Sequence, residues 1–191
     1  MRIYKSFEEF KKYADDIALR YNFIISKYNE DYSIDVDGNV ELSSREYLTE
    51  IPIQFNKVTG SFYCSNNNLT SLKGCPESVG EDFWCFNNDL TSLKGCPEYV
   101  GGNFDCHNNQ LTSLEGCPKY IRRNFVCYHN ELTSLKGCPE IIENIFNCCW
   151  NELTSLQGAP EIIRGEWVVD NEFESSPEYQ KYLLVKKIEA L

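Results

Sequence analysis

Basic residues are scarce in this chain of 191 residues: 18 lysines and arginines stand against 29 acidic residues, for a net charge of −11. In the central part of the sequence Arg122–Arg123 is the one adjacent basic pair. A negative field of this size repels phosphate, which excludes nucleic acid as a direct partner. No apolar run is long enough to cross a bilayer, and the start MRIYKSFEEF has no apolar core of the signal-peptide kind. No membrane association and a cytoplasmic location are therefore expected. Histidine occurs only at His107 and His129, and the spacing CxxC does not occur, so the usual zinc donor sets are missing. Neither a metal nor a cofactor is expected.

What the chain has in abundance is repetition. The stretch LTSLKGCPEYVGGNFDCHNNQ, residues 90–110, is followed directly by LTSLEGCPKYIRRNFVCYHNE, and the same phrase starts at Leu69, Leu132 and Leu153, with a worn copy from Leu48. A fixed internal period of 21 residues is the signature of a solenoid. Superimposed copies give columns: Phe62, Phe83, Phe104, Phe125, Phe146 and Trp167 in one, and Cys64, Cys85, Cys106, Cys127, Cys148 and Val169 two residues later. Apolar positions alternating with variable ones have the period of a strand with one buried face. Each copy should contribute one short strand near residues 82–86 or their equivalents.

The other columns are Leu69–Leu153, Leu72–Leu156, Gly74–Gly158 and Pro76–Pro160. A return segment that carries Gly and Pro in every copy cannot be a regular helix, so the back of the coil should be extended or irregular. Asn67, Asn88, Asn109, Asn130 and Asn151 fall just after the strand. There the chain turns inward, and a stack of buried amides would satisfy backbone groups that have lost their ladder partners. Nine of the ten cysteines lie in two repeat columns and read as small buried apolar groups in the reduced state. The odd one is Cys149, whose strand position points away from the core.

The frame LxxLxxxPxxVxxxFxCxxNxL resembles the leucine-rich repeat, in particular its short bacterial type, with one extra residue per turn and Cys at an aliphatic strand position. The resemblance covers roughly residues 40–173. The wording LTSLKGCP with FxCxNN is also similar to small repeat proteins of large tailed bacteriophages. It implies a β-rich solenoid, α/β overall, in which a right-handed coil of 21-residue repeats is closed by helical caps. It further implies a noncatalytic protein-binding module of the bacterial cytoplasm. Its partner would be a host protein, such as a defence or nucleic-acid enzyme, which it inhibits or redirects.

An array of this kind exposes an apolar cross-section and an unpaired strand edge at each end. Ser6 with Glu9 forms a capping-box pattern, and Phe7, Phe10, Ala14, Ile17 and Tyr21 follow at helical spacing. The segment YSIDVDGNVELS predicts a hairpin in which Ile34 and Val36 pair with Val40 and Leu42 across Asp37–Gly38. Ser175, Pro177 and Glu178 start a second helix, given an apolar face by Tyr179, Tyr182, Leu183 and Leu191. The expected organisation is an N-terminal helical cap and hairpin over 1–42, a solenoid over 43–173 and a capping helix over 174–191.

Columns that never change serve the coil, so candidate function lies in those that do. They are Tyr63, Trp84, Asp105, Val126, Asn147, Val168; then Ser65, Phe86, His107, Tyr128, Cys149, Asp170; and, at the strand exit, Asn66, Asn87, Asn108, His129, Trp150, Asn171. The candidate partner-binding residues are Tyr63, Trp84, Phe86, Asp105, His107, Tyr128 and Trp150, expected on the outward, concave side of the sheet. Aromatics bordered by Asp105, Glu131, Glu152 and Asp170 have the composition of an interface. The competing reading is cross-strand stacking that merely stabilises the ladder. His129 and Cys149 on neighbouring rungs are the one base-and-nucleophile combination, but the ladder offers no closed pocket and no evident oxyanion donors. No catalytic residues are assigned. Glu131 and Glu152 read as a solvated acidic edge. A monomer is favoured, the rival being a structural protein that assembles through an imperfectly capped end.

Overall fold

The computed structural model describes residues 3–44 and 47–189. The chain winds into a β-solenoid whose coils repeat every 21 residues, with one helix at the start and two helical segments at the end. Each coil gives one strand to each of two sheets. The front sheet consists of parallel two-residue strands at Val40–Glu41, Phe62–Tyr63, Phe83–Trp84, Phe104–Asp105, Phe125–Val126, Phe146–Asn147 and Trp167–Val168. The back sheet runs in parallel from Ser33–Asp37 through Gln54–Val58, Ser78–Val79, Tyr99–Val100, Tyr120–Ile121 and Ile141–Ile142 to Ile162–Ile163. The return segment is thus extended, as its Gly and Pro content requires, and it pairs in register with its neighbours.

Register follows from the columns. Phe62, Phe83, Phe104, Phe125 and Phe146 stand opposite one another and are fully buried, their rings 5.2–6.0 Å apart. Val79, Val100, Ile121 and Ile142 face them from the back sheet, and the two leucine columns and the cysteines complete the core. All ten cysteines are free thiols, nine of them buried. Burial pushes the thiols of Cys85, Cys106, Cys117 and Cys127 well above the ordinary range, and those of Cys96 and Cys148 up to about 12. At the tight turn of the return segment Gly137 adopts φ +86°, where a Cβ would sit 2.3 Å from the Glu115 backbone nitrogen of the preceding coil. That contact explains why the column holds only glycine.

The asparagine column joins one coil to the next. Asn88 Nδ2 donates to the carbonyls of Cys85 (3.0 Å) and Phe86 (3.3 Å) in its own coil and of Cys64 (3.1 Å) in the coil before, while its Oδ1 accepts from Leu69 N–H (3.0 Å). The same set recurs at Asn67, Asn109, Asn130 and Asn151. Among the described residues no buried side-chain nitrogen or oxygen lacks a partner.

The N-terminal helix (Phe7–Tyr21) starts at Ser6, whose side chain accepts from Glu9 N–H, and buries Phe10, Ala14, Ile17 and Tyr21. The hairpin behind it differs from the expected one. Ile34 and Val36 pair antiparallel with Ile24–Tyr28 and parallel with Gln54–Val58, whereas Val40 and Glu41 cross to the front sheet beside Phe62 and Tyr63. Asp37–Gly38 is therefore the first corner of the solenoid and not a hairpin turn. Gly38 (φ +92°) offers its carbonyl to Gly60 N–H one coil on, at 3.0 Å. The coil begins near Ser33, about ten residues before the sequence boundary at 43.

At the other end a short helix, Asn171–Glu174, leads into the helix Pro177–Glu189, with Ser176 and not Ser175 accepting from Tyr179 N–H. Tyr179 is buried, and Trp167 sits under Tyr179 and Tyr182 with ring separations of 5.1 and 4.9 Å. Glu178 Oε1 accepts from Leu156 N–H (2.9 Å) and Tyr182 Oη donates to the Pro160 carbonyl (2.8 Å), so the helix closes the last coil. Leu191, expected on its apolar face, lies outside the described residues.

Candidate functional site

The strand alternation that buries the Phe and Cys columns turns the variable residues outward on the front sheet. Tyr63, Trp84 and Asp105 stand in register on adjacent rungs, with Phe86, His107 and Tyr128 two residues further along theirs. Trp150 belongs to the exit position that follows. All seven candidate residues fall on this face, and their rings form one unbroken series: Tyr63–Trp84 (4.6 Å), Trp84–Phe86 (5.9 Å), Phe86–His107 (4.5 Å), His107–Tyr128 (4.4 Å) and Tyr128–Trp150 (5.8 Å). Asp105 holds the middle of the row, its Oδ1 accepting from His107 N–H at 3.1 Å and lying 2.7 Å from His107 Nδ1. Rows of this kind stabilise a sheet by roughly 0.2–1 kcal/mol per pair, and they leave a wide ring surface to solvent.

Most of these side chains are half-buried by their neighbours, but Trp150 is 61 % exposed. The reason is its backbone. Asn66, Asn87, Asn108, His129 and Trp150 all adopt left-handed φ between +51° and +54°. Asparagine and histidine are among the residues that tolerate that conformation; for a side chain as bulky as that of Trp150 it stores strain of order 1–3 kcal/mol. The exit column is thus not free to vary but is under a backbone constraint, which Trp150 meets at a cost. In the second to fourth coils the asparagines form a ladder of their own, with Asn87 Nδ2 to Asn66 Oδ1 at 2.7 Å and Asn108 Nδ2 to Asn87 Oδ1 at 2.6 Å. In the next two, the ladder gives way to His129 packed on Trp150 with ring centres 4.4 Å apart. His129 belongs to the site and was not among the seven. The signal was in the sequence: a column of asparagines at a strand exit is a left-handed position, and a histidine there puts a ring beside Trp150 in place of a ladder amide.

Charge is divided between the two sheets. No lysine or arginine occupies the outward positions of the front sheet among the described residues, where Glu41, Asp105 and Asp170 are found, with Glu131 and Glu152 exposed at the strand exits. The basic side chains of the array belong to the back sheet and the segments flanking it, where Lys119–Glu140 (2.9 Å), Lys136–Glu115 (2.8 Å) and Arg164–Glu143 (2.8 Å) form exposed ion pairs. On the front sheet Asp170 accepts from Trp150 N–H through both oxygens, at 2.9 and 2.8 Å.

The base-and-nucleophile pairing does not assemble as a catalytic dyad would. The His129 ring rests on Trp150, the imidazole that meets a carboxylate is His107, and the half-buried Cys149 thiol is raised by burial and by Asp170. A nucleophilic thiol needs a lowered pKa. Among the described residues no group of three or more His, Cys, Asp or Glu is placed to hold a metal ion.

Two concavities matter. A depression of about 570 Å³ adjoins Trp150, lined by Tyr128, Asn147, Cys149, Val168 and Asp170. A larger cleft of about 800 Å³ lies at the N-terminal end, among Tyr13, Tyr32, Ile51, Ile53, Gln54 and Lys73. The larger one owes its size to the seam between the cap and the irregular loop at 49–53, and it touches none of the variable columns. No helix of the described residues is long and apolar enough to cross a membrane. Two capped sheets with one aromatic, acidic face define a β-solenoid with an outward aromatic strip. Comparison with family models, with curated proteins and with solved structures found no match.

Proposed function

We propose that this chain is a noncatalytic binding module that docks a protein through the outward face of its front sheet. The observation that carries this reading is the unbroken series of rings from Tyr63 to Trp150, built at the positions where the repeat varies while its core columns hold constant. Adjacent strands lie about 4.8 Å apart, so the strip over the front-sheet rungs is about 25–30 Å long, enough for a protein interface of ordinary size. The raised thiol of Cys149 and the stacked position of His129 favour binding over catalysis. The resemblance of the repeat wording to small phage proteins supports a cytoplasmic host protein as the partner, inhibited or redirected by the contact.

Trp84→Ala combined with Tyr128→Ala should abolish partner capture from bacterial cytosol under reducing conditions, with the circular-dichroism spectrum retained. Truncating a hot-spot aromatic weakens binding by about 2 kcal/mol or more. The control is Tyr99→Ala with Tyr120→Ala on the back sheet, where both rings are exposed. Loss of capture in the back-sheet pair with capture retained in the front pair moves the interface to the other side. One observation favours assembly as a second reading: strand Ile24–Tyr28 stands at the open edge of the back sheet with Ile24 70 % exposed. Light scattering of the pure protein separates the two, since assembly requires a mass above that of one chain.

A further inference from the structure

Resting on that reading, we propose that the Trp150 end of the strip is an anchor for an arginine side chain on a basic segment of the partner protein. Three observations converge there. The first is strain. In three coils asparagine fills the left-handed exit position and bonds to its neighbour, so the fold has a solution for this site, and Trp150, a bulky residue at the same φ, departs from it with His129 stacked against its ring. Strain that the scaffold does not need is kept for what the side chains do. The second is shape: Trp150 stands 61 % exposed over a depression of about 570 Å³ whose other walls include Tyr128, Cys149 and Asp170.

The third is charge. Asp170 lines the depression, Asp105 stands further along the same face, Glu131 and Glu152 are exposed just beyond the strands, and among the described residues no lysine or arginine occupies an outward front-sheet position. That complements a cation and opposes both a nucleic acid and a second copy of the same acidic face. Asp170 is held in place by Trp150 N–H, and a carboxylate has about four lone-pair sites, so it retains capacity for an incoming donor. Guanidinium fits this combination better than ammonium. Its plane lies against an indole or phenol ring while its fork of N–H groups meets a carboxylate, whereas a lysine head is a point charge that prefers water.

The test uses the intact protein and three short synthetic peptides of equal length: one rich in arginine, one with each arginine replaced by lysine, and one with glutamate instead. Calorimetric titration should give saturable binding of the arginine peptide, weaker binding of the lysine peptide and none of the glutamate peptide. Trp150→Asn should weaken the arginine peptide by about tenfold while raising the melting temperature, because the column recovers the residue its backbone prefers. Glu152→Gln should weaken it by a smaller factor, about threefold, without moving the melting temperature. Absence of saturable arginine-peptide binding overturns the anchor, as does equal affinity for the lysine peptide. A Trp150→Asn protein that binds as before, or that melts lower, assigns the His129–Trp150 pair to the scaffold instead. A partner captured through Trp84 and Tyr128 but indifferent to Trp150→Asn would likewise remove the arginine anchor and leave the front-face reading standing; capture retained by the Trp84→Ala/Tyr128→Ala protein counts against the front-face reading, apart from the peptide titration that tests the anchor.

Discussion

Coils that share one backbone differ sharply in what they do with it. From Phe62 to Asn109 the strand exit is filled by Asn66, Asn87 and Asn108, bonded side chain to side chain. From Phe125 to Asn151 the same φ is imposed on His129 and Trp150, which meet through their rings. Beneath them nothing changes: Phe125 and Phe146 are as buried as Phe83 and Phe104, and Asn130 and Asn151 bond across coils as Asn88 and Asn109 do. The difference teaches that the inner columns and the outward ones answer to separate demands, so that the surface of a coil can be rewritten at a local cost without disturbing its core.

The largest expected effect tests what the two halves have in common. Thiols buried in both have raised pKa values, as at Cys85 and Cys127. A thiol whose folded pKa exceeds its unfolded value near 9.0 contributes fully to stability below that pH and loses its contribution as pH rises, because the unfolded chain ionises first. Each fully titrating thiol removes about 1.4 kcal/mol per pH unit. Urea midpoints should therefore be flat to about pH 8 and fall steeply above about pH 9, and a midpoint unchanged at high pH would contradict thiol burial.

Next come the core rings. Phe104→Ala and Phe146→Ala should each cost about 3–5 kcal/mol in equilibrium unfolding, one from each half. A much cheaper Phe146→Ala would mean that the halves differ inside as well as outside. Asn88→Ala and Asn130→Ala should each cost about 1–3 kcal/mol, since removing the amide orphans backbone groups in two coils at once; losses of only a few tenths in both would refute the bridging role. The smallest effects separate the halves. Asn87→Ala should cost about 1–2 kcal/mol by leaving a left-handed residue without the side-chain hydrogen bonds of the ladder, whereas Trp150→Asn should stabilise. In alkylation of the native protein, half-buried Cys149 should react before the nine column thiols, although its own raised pKa slows it. Uniform reactivity of all ten would show that the columns open readily.

The coil itself was legible because its demands repeat. One period read from Leu69 to Leu153 was enough to place Phe104 and Cys106 inside and Asp105 and His107 outside, and the amide role of Asn88 followed from where the strand ends. The first coil was not legible, because YSIDVDGNVELS fits a hairpin and a solenoid corner equally well. Asp37–Gly38 turns the chain in either case, and only the neighbour that Ile34 finds, Phe55 and not Val40 or Leu42, decides between them. Side-chain pattern also hid the constraint at Asn87 and His129. A left-handed φ is a property of the backbone, and variation in a column says nothing of the cost at which it occurs. Variability and aromatic size single out Trp150 in the exit column, but neither reveals that His129 packs against its ring.

The cross-coil amides have an evolutionary consequence. Because Asn88 reaches Cys64 and Leu69 with the same atoms by which Asn109 reaches Cys85 and Leu90, the joints made by the asparagine column are interchangeable. Duplication or deletion of one 21-residue unit in the gene would rejoin like to like and leave the two caps fitting as before. The recognition strip would then lengthen or shorten by a single rung, about 4.8 Å, with one new set of outward residues to be selected.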